Sequence, residues 1–503
     1  MLKHLKLENF KCFARAVTVP LAPITLIYGP NSGGKSSIIQ SLVLMRQTLD
    51  RGPGTTALVP RGDLVDLGSF KSFVHGHSLK NRLKLAVTAT PFRPVSGERS
   101  LALRHLGYHE VGMELTLGAA KSRGSRRLDS SKLLEATYSL RELRPPRPIK
   151  GSQTVVTTPR SMHVTLEPTA KKLPSFIDKG EATAWELTAE STDTVLDWIQ
   201  STPMRQPLDS SLVRQWLESS VIVSEGLLPA RMVATDIAQL EGRFPSRAAG
   251  LHVLRRAFPL DDMTRTLERA FLRLSYLGPL RMHPARYYDL TSASADTVGK
   301  TGENAPQVIF RRGNKVTKEI NRWFDTFEVP YKLRAKQLGD EVTGHILAIT
   351  LVDQRTGVVV GPSDVGFGIG QLLPIIVEGV VSEGKTICVE QPEIHLHPRL
   401  QAHVADLLIE TAGIHDDPRP GAPCGTQWIV ETHSEALVLR LQRRIREGAL
   451  RSKHVSVLYV EPTTAGSLVH QLRLAEDGDF IDDWPDGFFE ESFDELFSSE
   501  GAT

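Results

Sequence analysis

The stretch ITLIYGPNSGGKSSIIQSLVLMRQTL, residues 24–49, decides the fold. ITLIY reads as a buried strand, and SIIQSLVLMRQTL carries the apolar spacing of a helix. Between them stands Gly29-Pro30-Asn31-Ser32-Gly33-Gly34-Lys35-Ser36-Ser37, with the spacing Gly-x-x-x-x-Gly-Lys-Ser. A phosphate chain needs backbone N–H donors at close range, and glycine lets the main chain turn tightly enough to supply them. Lys35 then offers a point charge to the β- and γ-phosphates, and the Ser36 hydroxyl suits Mg²⁺. The helix points its positive end at the same place. Strand, glycine loop and helix together predict a site for ATP with Mg²⁺, built by Gly29 to Ser37.

A second segment, KTICVEQPEIHLHP at 385–398, is an apolar strand ending in a carboxylate. Glu390 at that strand end is the expected partner of Ser36 in holding Mg²⁺. Gln391 follows; its amide orients a water but accepts no proton at neutral pH. Glu393 is the nearby carboxylate that stands in as a base, or else an ordinary carboxylate of a loop or helix start. His395 and His397 read as members of a structural loop ended by Pro398, since no third metal ligand accompanies them.

A third segment, IVETHSEAL at 429–437, is a buried strand followed by Thr432-His433-Ser434 and a helix. His433 at a strand end is placed to donate to a γ-phosphate. In a fourth, SDVGFGIGQLLPIIVE at 363–378, Ser363, Gly366, Gly368 and Gly370 precede an apolar helix. Two readings stay open there: an anion-facing helix start, or a flexible loop before a buried helix.

Working outward, 503 residues exceed one simple core. Residues 1–175 are expected to form a lobe with the P-loop and a β-rich subdomain, 176–275 a helical insertion, and 276–503 a second α/β lobe. Strands alternating with helices in that second lobe predict a mostly parallel sheet. The net charge of +2 gives no whole-molecule field for a polyanion. No apolar run reaches membrane-spanning length, and MLKHLKLENF lacks the continuous apolar core of a signal peptide. Cys12, Cys388 and Cys424 form no C-x-x-C pair, which fits a reducing cytoplasm.

With these segments in this order, the chain resembles the ABC-type ATPases of the SMC, RecF and OLD-like group. LKLENFKCF with ITLIYGPNSGGKSS is similar to their N-terminal lobe, SDVGFGIGQLLP to their signature motif, EQPEIHLHP to their Walker B and D-loop, and ETHSEAL to their switch histidine. YLGPLR at 276–281, VEQPEIHLHP and the tail DWPDGFFEESFDELF resemble a bacterial subgroup often found in anti-phage defence. The resemblance implies an α/β ABC/SMC-like P-loop ATPase head that dimerises head-to-tail around two ATP molecules, as a homodimer or higher oligomer. Lys35 and Ser36 of one protomer would face Ser363, Gly366, Gly368 and Gly370 of the other. The chain departs from the pattern at Gln391, where such heads carry a glutamate as general base, and in a signature that is not LSGGQ. Slow turnover follows. No nuclease module is expected in the residues after His433, so a separately encoded effector, a nuclease, is the expected partner.

Two segments are charge-biased. Residues 121–150 and the helix LVLRLQRRIREGALRSK at 437–453 are basic enough to meet DNA phosphates, or are plain solvated surface. The tail after Arg473 mixes carboxylates with Phe480, Trp484, Phe488 and Phe489, aromatics expected to pack on the chain's own head.

Overall fold

The computed structural model describes residues 1–51, 57–90, 109–120, 131–143, 158–169, 171, 183–201, 209–224, 227–234, 260–289, 296–340, 344–414 and 425–485. The chain forms two compact units, Met1–Val19 with Gln40–Arg273, and Pro20–Ile39 with Leu274–Thr503.

The first unit is built on a nine-stranded sheet. In spatial order its strands are Pro229–Ala234, Ser220–Ser224, Thr183–Leu187, Ser161–Pro168, Ser131–Glu142, His109–Ala119, Leu83–Ala89, Leu2–Glu8 and Val17–Pro20. From Pro229–Ala234 to Leu2–Glu8 every neighbour is antiparallel. Leu83–Ala89 alternates strictly between buried and half-buried residues, so one face packs inward and the other does not.

The stretch read as a helical insertion holds helices Ala189–Gln200, Ser210–Ser219 and Leu260–Leu272, and also three strands of this sheet. The helices are capped as their sequence allows: Thr188 accepts from the Ser191 amide, and Asp209 from those of Ser211 and Leu212. The strands TAWEL and SVIVS are too short for periodicity to reveal beside the stronger helical pattern; pairing to long neighbours decides their state. Pro203, Pro207 and the run TVVTT at 154–158, nearly all of it, lie outside the described residues.

The second unit carries a six-stranded sheet in the order Leu274–Leu277, Thr386–Glu390, Gln427–Glu431, Ile24–Tyr28, Val455–Glu461, Leu468–Leu472. The first five run parallel and the last closes an antiparallel hairpin. This is the mostly parallel sheet expected from the alternation of strands and helices. All five residues of Ile24–Tyr28, Thr386–Glu390 and Gln427–Glu431 are buried, as strands covered on both faces must be.

Helices Phe367–Val381, Pro398–Ala412 and Glu435–Arg446 link successive strands. The core of this unit extends to a four-stranded sheet whose main hairpin is Tyr331–Asp340 with Gly344–Asp353. Trp323, Phe324 and Phe327 fill that core together with Leu333, Leu347 and Leu351. Among the described residues no helix is long and apolar enough to cross a membrane.

Candidate functional site

The parallel sheet delivers its chemistry at one edge, where strands end and loops begin. Ile24–Tyr28 runs into the glycine loop, and helix Lys35–Asp50 leaves from it. Gly29 adopts φ 140° and Gly34 φ 106°, conformations that side chains resist. At Gly29 a Cβ would stand 2.4 Å from the Val460 carbonyl oxygen, so the loop hugs the next strand. Ser467 Oγ donates to the Gly33 carbonyl at 2.8 Å and holds the loop from the far hairpin. The Lys35 ammonium is buried and donates to the carbonyls of Gly29 and Pro30, both at 2.9 Å. Burial pulls its pKa down, against the nearby carboxylates Glu431 and Glu393 that hold it up.

Ser36 Oγ donates to Glu431 Oε1 at 3.0 Å. Glu431 ends the strand immediately beside the P-loop strand, with its Cα opposite Ile27. Glu390 lies one strand further out, in register with Glu431. Its Oε1 accepts the Tyr276 phenol at 2.9 Å. Thus the carboxylate on the Ser36 hydroxyl is Glu431, which the sequence reading did not single out. The signal was present: Glu431 is an acidic residue at the end of an apolar strand, directly before Thr432-His433. Burial pushes its carboxyl up, Ser36 and Lys35 pull it down, and Glu393 pushes it up again.

Gln391 takes φ 47°, and its N–H donates to the Glu431 carbonyl at 2.7 Å. Glu393 is committed on both oxygens: Oε2 accepts the Thr432 hydroxyl at 2.8 Å and Oε1 the His433 N–H at 2.7 Å. Burial raises its pKa over the opposing pull of those donors and of Arg281. His433 is half-buried, its pKa lowered by burial and then by Lys35. The structure therefore gathers Lys35, Ser36, Glu390, Gln391, Glu393, Glu431 and His433 at the ends of three adjacent strands.

Ser363, Gly366, Gly368 and Gly370 sit at the start of helix Phe367–Val381 and just before it. A Cβ on Gly368 would meet the His395 carbonyl at 3.1 Å, so this segment abuts the loop after Gln391. His395 is exposed at φ 60°, and His397 Nδ1 caps helix Pro398–Ala412 by accepting from the Arg399 amide. Among the described residues no group of three His, Cys, Asp or Glu is arranged to hold a metal.

The arrangement fits a triphosphate with Mg²⁺. The glycine loop has no room for a side chain at Gly29, and Glu431 Oε2 is buried with no hydrogen-bond partner among the described residues. Mg²⁺ is held by one or two carboxylates or hydroxyls together with substrate phosphates, so two protein oxygens suffice.

Residues 1–83 and 291–438 match the AAA ATPase domain. The match to the AAA ATPase domain supports an ATP-binding ATPase. Comparison with curated proteins finds no match. Among solved structures, the chain is similar to an SMC head bound to the C-terminal winged-helix domain of ScpA, at 13% identity and TM-score 0.41, covering 94% of this chain and 98% of that one. It is similar to the SMC head domain from Thermotoga maritima at 10% identity and TM-score 0.33, covering 94% and 99%. It is also similar to an SMC head with an extended coiled coil, bound to the C-terminal domain of ScpA from Pyrococcus furiosus, at 11% identity and TM-score 0.36, covering 98% of each.

The matched segments contain every site residue named above except Tyr276, Arg281, Val460 and Ser467. Beyond them, the arginines of helix Glu435–Arg446 are engaged in ion pairs. Arg440 and Arg444 hold Asp406, Arg443 and Arg444 hold Glu447, and Arg446 holds Asp479. Those charges are offset within the unit, which removes much of the pull on a phosphate backbone. Residues 121–130 and 144–150 of the other basic stretch, and Cys424, lie outside the described residues.

The tail packs as expected up to Pro485. Trp484 stands edge-on to Tyr28 at 5.3 Å between ring centres and to Phe480 at 5.1 Å. Phe488 and Phe489 lie outside the described residues.

Proposed function

We propose that this chain is a slowly hydrolysing ATPase subunit that closes on a second copy around ATP and gates a separately encoded effector. The observation that carries the reading is the hydrogen bond from Ser36 to Glu431, set beside the buried ammonium of Lys35. Gly29 to Ser37 would cradle the phosphates, and Ser36 with Glu431 and Glu390 would hold Mg²⁺. The metal, when bound, neutralises charge on the β- and γ-phosphates. Gln391 orients the attacking water without accepting its proton, and His433 donates to the γ-phosphate side. Glu393 is the nearby carboxylate in reach of this centre, and its two bonds to Thr432 and His433 hold it in place as a brace.

Slow turnover rests on Gln391 and on the engagement of Glu393. Closure on ATP, with Ser363, Gly366, Gly368 and Gly370 contacting the nucleotide of the partner copy, rests on the family resemblance. So do the effector, a nuclease, and the setting in anti-phage defence within the cytoplasm. Single-turnover assays with purified protein test the hydrolytic reading. Measurable γ-phosphate release that disappears in Lys35→Ala supports it, and binding without any release favours a nucleotide-sensing scaffold.

A further inference from the structure

Tyr276 and Arg281 bracket the motif YLGPLR. Tyr276 lies on strand Leu274–Leu277, opposite Cys388 of the parallel neighbour, and its phenol donates to Glu390 Oε1 at 2.9 Å. The chain then leaves the strand and brings Arg281 back over the end of Thr386–Glu390. Arg281 is 6% exposed. Its Nη2 donates to the Glu390 carbonyl at 2.8 Å, and its Nη1 to the Gln391 carbonyl at 2.9 Å and to Pro279 at 3.3 Å. One planar guanidinium therefore spans two successive carbonyls at the point where Gln391 takes its positive φ.

Burying a cation to satisfy backbone carbonyls is expensive, and burial indeed draws the Arg281 pKa down to about 10, against Glu393 and Glu390. Nε has no hydrogen-bond partner among the described residues, so the group is not placed for maximal hydrogen bonding. What it does achieve is a fixed Glu390–Gln391 turn. The arginine is itself braced. Gly278 N–H donates to the Lys300 carbonyl and Met282 N–H to that of Thr301, both at 2.8 Å. Further along, Arg286 forks onto Asp364 at 2.6 and 3.1 Å, and Pro284 lies against Gly370. The same loop thus touches the strand end and the 363–370 segment.

We infer that Arg281 is a positioning residue for the hydrolysis step: it holds the backbone of Gln391 so that the Gln391 side chain meets the attacking water. This rests on the proposed function, which assigns Gln391 that task. A side chain misplaced by about 1 Å can cost about 100-fold in rate.

The test uses the full-length chain with Arg281→Gln and Arg281→Lys, read by nucleotide affinity, single-turnover rate, melting temperature and amide exchange across 390–397. The expected result for Arg281→Gln is a rate at least tenfold lower, nucleotide Kd within about threefold of the parent, and faster exchange at the Gln391 turn. Arg281→Lys, which restores the charge but not the fork, recovers less than half of the rate. Should Arg281→Gln fail to fold, Arg281→Lys carries the test through its rate and exchange. Unchanged rate and exchange in a folded variant would overturn the inference, as would a parallel loss of affinity and rate. A parent protein that binds no ATP, or binds it and never hydrolyses it, contradicts the proposed function itself; a parent that hydrolyses ATP at a rate Arg281→Gln leaves unchanged overturns the role of Arg281 alone.

Discussion

Ser36 Oγ and Glu431 Oε1 stand 3.0 Å apart, joining the glycine loop to the end of the strand beside it. A hydroxyl and a carboxylate oxygen at that spacing, with the second carboxylate oxygen lacking a partner among the described residues, make a pair of hard oxygen donors. Glu431→Gln keeps the shape and removes the charge. The expected outcome is an Mg²⁺ requirement raised at least about 10-fold, the lower end of the loss seen when even the outer-shell partners of metal ligands are altered. Titrating Mg²⁺ against a fixed concentration of fluorescent ATP checks it; an unchanged Mg²⁺ midpoint would remove Glu431 from the site.

Gln391 offers a gain of function. Restoring a proton acceptor by Gln391→Glu should raise turnover at least tenfold, since general-base catalysis contributes about 10²–10⁴. The Gln391 N–H bond to Glu431 is a main-chain contact and survives the change. Phosphate release under single-turnover conditions gives the answer, and a rate no higher than the parent's would show that proton acceptance is not what limits it.

Gly29→Ala tests the loop itself. The added Cβ meets the Val460 carbonyl at 2.4 Å at a φ of 140°. Backbone strain of this kind costs about 1–3 kcal/mol. The loop is expected to shift, with ATP affinity falling more than tenfold while circular dichroism stays that of a folded chain. Retained affinity would mean the loop does not depend on its contact with strand Val455–Glu461.

The tail reaches the P-loop strand through an aromatic edge. Trp484 packs on Tyr28, the residue before Gly29, and Tyr28 donates to the Ser434 carbonyl at 2.9 Å. Trp484→Ala is expected to cost about 2 kcal/mol, below the 3–5 kcal/mol of a fully buried aromatic because Trp484 is half-buried. Urea unfolding followed by circular dichroism measures the loss. A change under about 0.5 kcal/mol, the range of surface substitutions, would mean that the tail is not part of the packed unit.

The parallel sheet and the P-loop were legible because each is written locally. Three fully buried strands stand out in any window, and the spacing from Gly29 to Ser36 reads as a phosphate-binding loop. Glu431 was less legible, because its meaning depends on strand order. Only once Gln427–Glu431 is seen between Thr386–Glu390 and Ile24–Tyr28 does its carboxylate fall beside Ser36. Arg281 was hidden for the same reason, since its partners are backbone carbonyls more than a hundred positions away. The strands Thr183–Leu187 and Ser220–Ser224 escaped notice because short runs that abut amphipathic helices carry no period of their own.

The central claim is that main-chain amides at Gly29–Ser37, with Lys35, hold a triphosphate. Isothermal titration of ATP with Mg²⁺ into the parent chain and into Lys35→Ala tests it most directly. The account predicts saturable binding by the parent and an affinity at least tenfold weaker in Lys35→Ala. No heat of binding with the folded parent, or equal affinity in the two proteins, would contradict it.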